Sequence, residues 1–144
     1  MPKILRYQYL AILWAIFIMI VCLMPPQSGG KGPFFFEGFD KLVHMGLFFV
    51  FTVLLFYGKV QQQLSCKYGL LTLIKIILLA AILGGGVELL QWKVFTYRSG
   101  EWWDFFSDLA GVGMGIFSYI CFTSALSIST GSVSRGEGDK LIKR

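Results

Sequence analysis

Four stretches of this 144-residue chain are apolar for long enough to cross a bilayer, and that leaves few folds open to it. A spanning helix needs about 20 predominantly apolar residues. The stretches are Tyr7 to Met24, interrupted only by Gln8, and then about Phe39 to Gly58, Tyr68 to Phe95 and Trp103 to Ile128. Inside lipid each backbone amide must find its partner within the segment, so spans of this length are helices. The predicted fold is therefore all-α: a polytopic membrane protein built as a bundle of four transmembrane helices. The composition agrees, with 56% hydrophobic residues and a mean hydropathy of +0.68. Residues 1–128 form the expected membrane domain, and residues 129–144 have the composition of a flexible, basic cytoplasmic tail.

The first stretch follows Lys3 and Arg6, as a signal peptide would, but ends in Cys22-Leu23-Met24-Pro25-Pro26 with no small-residue cleavage site. It is expected to remain as a span. The prolines stop that helix, and Phe34-Phe35-Phe36 in the loop that follows suits a short interfacial segment.

The net charge of +5 takes its meaning from where the cations lie. Lys3 and Arg6 precede the first span, Lys59 and Lys67 separate the second from the third, and Arg135, Lys140, Lys143 and Arg144 close the chain. Lys75 lies near the same end of the third span, where its head can snorkel to water. The other two loops hold Lys31, Lys41, Lys93 and Arg98. The positive-inside rule then places both termini in the cytoplasm of a multi-pass cell-membrane protein. The charge reflects topology and anionic lipid, not nucleic acid. Cys22, Cys66 and Cys121 have neither disulfide nor metal spacing and read as small buried or incidental residues.

The acids gather at the opposite ends of the spans. Glu37, Asp40, Glu88, Glu101, Asp104 and Asp108 all fall there, leaving only Glu137 and Asp139 in the tail. Asp40 and His44 are four apart and share a face of the second helix; Glu88 and Gln91 are three apart on the third. Asp104, Asp108, Gly111, Gly115 and Ser118 make one stripe along the fourth. These faces must look inward, because a charged side chain near mid-depth facing lipid costs about 2.5–3.5 kcal/mol. Gly84, Gly111 and Gly115 on the same faces allow close helix packing. The run Gly84-Gly85-Gly86 alternatively marks a local break in the third helix.

The predicted result is a polar pocket between the second, third and fourth helices, open to the outside and bordered by interfacial Trp102 and Trp103. Within it His44, oriented by Asp40, suits general acid–base work, and Glu88 can hold a proton. Asp104 is a further acid–base or metal-binding candidate. Lys41 and Arg98 suit an anion, and the carboxylates suit a hard divalent cation, although no cofactor is required. Gln91 and Asp108 complete the candidate ligand-binding set. The bland alternative is a self-compensating polar network that ties the helices together.

The motifs Asp40-Lys41-Leu42-Val43-His44, Glu88-Leu89-Leu90-Gln91, Arg98 and Asp104-Phe105-Phe106-Ser107-Asp108-Leu109-Ala110-Gly111 resemble the VanZ family. Their order and spacing match over roughly Leu5 to Ala125. One departure is Asp108, where many members carry asparagine. The resemblance implies a four-helix membrane protein of a family named for low-level teicoplanin resistance. Three roles follow as expectations. The first is binding or shielding of a cell-envelope or lipid ligand, such as a precursor or a lipoglycopeptide. The second is an enzyme acting on a lipid headgroup through His44, Asp40, Glu88 and Asp104, with Arg98 on the anion. The chain's single histidine excludes a multi-histidine membrane phosphatase. The third is a small proton-coupled transporter using Glu88, disfavoured because the acids sit away from the midplane.

Overall fold

The computed structural model describes residues 3–23, 38–63, 69–93 and 102–142, with side chains described between residues 6 and 126 of those ranges. The described residues form four helices and no strand: α1 Lys3–Leu23, α2 Phe39–Gln63, α3 Leu70–Lys93 and α4 Trp102–Ile142. Each is long and apolar enough to cross a membrane.

The contacts set the direction of every helix. Gln8 Nε2 donates to the Leu55 carbonyl at 3.3 Å and Trp14 Nε1 to the Leu47 carbonyl at 3.0 Å, so α1 rises as α2 descends. His44 meets Asp108 and, further along, Phe56 stacks on Tyr119 with ring centroids 4.0 Å apart, so α2 and α4 run parallel. Gly84 abuts Asp108 while Gly85 faces Phe105, so α3 is antiparallel to α4. One end of the bundle thus collects the C-termini of α1 and α3 with the N-termini of α2 and α4.

The α2–α4 interface is the most extensive, and glycine makes it close. A Cβ on Gly111 would collide with the Met45 carbonyl oxygen, and one on Gly115 would lie 2.7 Å from Thr52 Cβ. Gly84 is equally constrained, since its Cβ would sit 2.7 Å from Asp108 Oδ2. Around these contacts Ile18, Phe48, Phe56, Val87 and Val112 form a buried apolar core. The outer faces carry exposed Leu13, Ile20, Leu71, Ile82, Phe117 and Phe122, the expected side chains for lipid.

Two details differ from the sequence expectations, and one alternative reading drops out. The triple glycine does not interrupt α3, whose helix is continuous through Leu70–Lys93. Ser118 is exposed and leaves the inward stripe, which continues through Tyr119 against Phe56. The backbone of α4 remains helical to Ile142, past the expected start of the tail at residue 129, and no proline intervenes to stop it. Its apolar window closes at Leu126. The Phe34-Phe35-Phe36 segment lies outside the described residues.

Candidate functional site

At the end where α2 and α4 begin, two acids occupy the first helical turns. Asp40 is on α2 and Asp104 on α4, where the unpaired amides and the dipole of each helix favour negative charge. Gly38, at φ +90°, sets the entry to α2, and its carbonyl accepts the Leu42 amide at 3.2 Å. No other residue type takes that backbone angle without strain. Asp40 is exposed, whereas Asp104 is buried. The Lys41 ammonium, on a half-exposed side chain, lies 3.7 Å from Asp104 Oδ1.

One turn deeper the polar groups are fully enclosed. His44 and Asp108, each 1% exposed, meet across the α2–α4 interface with Nδ1 3.0 Å from Oδ1. With Asp108 ionised its carboxylate only accepts, and Nδ1 then carries the hydrogen and donates it. The expected orienting partner was Asp40; Asp108 takes that place. Spacing along one helix put Asp40 on the His44 face, but the parallel register of α4 brings a carboxylate level with the ring. His44 is five residues after Phe39, about 7.5 Å along the axis at 1.5 Å per residue.

The α3 residues close the other side. Gln91 is fully buried, and its Nε2 donates to the Cys22 carbonyl at 2.8 Å. Cys22 lies in the last turn of α1, where carbonyls have no partner within the helix. Gln91 therefore caps α1 from a neighbouring helix. The same bond assigns the amide, leaving Gln91 Oε1 as a pure acceptor. Glu88 is half-buried, four residues beyond Gly84 and three before Gln91 on α3. The Cys22 side chain is buried beside the His44 ring.

Gln91 Oε1, Asp108 Oδ2 and His44 Nε2 are buried atoms with no hydrogen-bond partner among the described residues. Each such atom forfeits a bond that water would otherwise supply, at about 1–3 kcal/mol. Two of them are acceptors whatever the protonation of the histidine. The layer thus calls for hydrogen-bond donors or a cation.

Of the residues expected at the site, Asp40, Lys41, His44, Glu88, Gln91, Asp104 and Asp108 are brought to one end of the bundle, with Gly84, Gly111 and Gly115 packed below. Arg98 lies outside the described residues. The contacts of α1 went unread in the sequence: Trp14 and Gln8 bond to α2 carbonyls, and the Cys22 carbonyl accepts from Gln91. The prolines after Cys22 were the available signal, because a stopped helix exposes its last carbonyls. Trp92, Trp102 and Trp103 are exposed around this end and suit an interfacial belt. Comparison with family models, with curated proteins and with solved structures finds no match.

Proposed function

We propose that this chain is a VanZ-like membrane protein that binds or shields the headgroup of a membrane-embedded amphiphile at the acidic end of its bundle. The observation that carries this reading is the layer of buried, unpartnered polar atoms on Gln91, Asp108 and His44. A structural network meant only to join helices would pair its own members, since an unsatisfied buried network is worse than an apolar core. The acceptors favour hydroxyl or ammonium donors over a bare phosphate, because Lys41 already faces Asp104. Sugar and amino headgroups of cell-envelope lipids, or a lipoglycopeptide, carry such donors. The lipid chain of the ligand would lie along the apolar outer faces, with the tryptophans holding the end at headgroup depth.

One observation favours a second reading, an enzyme acting on a lipid headgroup. Asp108 holds His44 in one tautomer, as the carboxylate does in hydrolytic triads. The hydroxyl of Ser107, next to Asp108 in sequence, is instead committed to the Trp103 carbonyl at 2.8 Å. Binding is therefore the preferred conclusion.

The test is native mass spectrometry of the protein extracted gently from its own membranes, beside Glu88→Gln and His44→Ala. A defined lipid or glycolipid on the wild type, lost from variants that keep their thermal stability, supports the pocket. Identical bulk phospholipids on all three would overturn it.

A further inference from the structure

The geometry points to a divalent-cation site made by Asp40, His44 and Asp104, with Asp108 as the positioning residue behind the histidine. One ring nitrogen of His44 and one carboxylate oxygen from each of Asp40 and Asp104 lie within 4.8 Å of one another. Acids at helix starts are common without a metal, so the carboxylates alone would mean little. The histidine supplies the independent observation. Its side chain is 1% exposed, and Nε2 is buried with no hydrogen bond of ordinary geometry among the described residues, the Cys22 thiol lying beside the ring as its nearest polar neighbour on α1. Nδ1 is already committed to Asp108 at 3.0 Å, which leaves Nε2 as the ligating nitrogen. A metal-bound histidine almost always donates its other ring hydrogen to a carboxylate or carbonyl, which fixes the ring for the metal. Asp108 stands in that relation to His44.

The donor set also selects the class of ion. One imidazole and two carboxylates suit Zn2+, Mn2+ or Fe2+ better than Ca2+ or Mg2+, which prefer oxygen alone. At bond lengths of ~2.1 Å, tetrahedral donors are about 3.4 Å apart, so donors up to 4.8 Å apart must close by up to about 1.4 Å. Asp40 is exposed and can swing to do so. The Lys41 ammonium, 3.7 Å from Asp104 Oδ1, competes for the same carboxylate and must move aside. Any proton on Nε2 leaves as the metal arrives, because only the lone pair coordinates. This inference concerns the same end of the bundle but does not rest on lipid binding.

A Zn2+ titration of the full chain in detergent, labelled with 15N-histidine, tests it. His44 is the only histidine, so its two nitrogen signals need no assignment against others. The expected result is one Zn2+ per chain, with the Nε2 signal moving to a metal-bound position. Affinity should fall at least tenfold in Asp40→Asn and Asp104→Asn, and about 10–100-fold in Asp108→Asn. Lys41→Met should bind more tightly. Asp40 is exposed, so Asp40→Asn tests the ligand set even where a buried variant fails to fold. An Nε2 signal unmoved by saturating Zn2+, or equal affinity in wild type and Asp40→Asn, overturns the site. Failure here would leave the mass-spectrometric result untouched, because the two experiments detect different bound species.

Discussion

At the scale of single residues, the pairing of His44 with Asp108 carries the greatest consequence. Both side chains are enclosed, so their 3.0 Å contact replaces water that neither can reach. Asp108→Asn keeps an acceptor oxygen for Nδ1 and should cost less than about 1 kcal/mol. Asp108→Ala leaves a buried donor unpaired and should cost about 1–3 kcal/mol, with a further loss from the void. Unfolding of both variants in the same detergent measures the difference; equal costs would show that the hydrogen bond contributes nothing. The sequence made the members of this pair visible but not their partnership. Asp40 and His44 sit four apart on one helix, and that spacing is legible. The level at which a second helix packs is not, because it depends on where two backbones can approach. Arg98, singled out as an anion grip, falls outside the described residues.

Between elements, that approach is set by glycine. Gly111 and Gly115 leave no room for a Cβ against Met45 and Thr52, whereas Gly86 and Gly113 have nothing within 4 Å of theirs. The sequence singles out Gly84, Gly111 and Gly115 as packing positions through the faces they share with the acids. Each of these three faces another helix at close range, and so does Gly58, where a Cβ would meet the Tyr7 carbonyl oxygen. Gly111→Ala should therefore destabilise the bundle by about 1–3 kcal/mol, the usual cost of forced overpacking. Gly113→Ala should be neutral or stabilise by up to about 1 kcal/mol, as alanine favours a helix interior. Thermal unfolding of the two variants side by side distinguishes them, and a similar loss in both would argue against backbone contact between α2 and α4. Because His44 and Asp108 lie on the same two helices, Gly111→Ala should also lengthen their contact. A downfield-shifted Nδ1 proton on 15N-labelled His44 would report it, moving upfield as the bond weakens.

For the whole molecule, the distribution of charge bears on which side of the membrane the acidic end faces. Four antiparallel crossings were readable from hydropathy, since span length is a property of composition alone. They require the chain ends to emerge on one side. Of the 13 cations, Lys3, Arg6, Lys59, Lys67, Arg135, Lys140, Lys143 and Arg144 lie towards that side, with Lys75 exposed near it on α3. Only Lys31, Lys41, Lys93 and Arg98 lie towards the other. The imbalance argues for cytoplasmic termini and an outward acidic end. The continuation of α4 lies on the side of the chain ends whichever way the bundle faces: 41 helical residues reach about 60 Å, roughly twice the hydrocarbon thickness. The excess must leave the membrane on the side of the basic residues that follow the apolar window. A fluorescent protein fused after Arg144 should therefore glow, and alkaline phosphatase inserted in the loop at Gly30 should be active. The opposite pattern would turn the Asp40–His44–Asp104 cluster towards the cytoplasm. An outer-leaflet ligand would then be out of reach, and the search for what fills the buried acceptors would move to inner-leaflet lipids, with the geometry of the cluster itself unchanged.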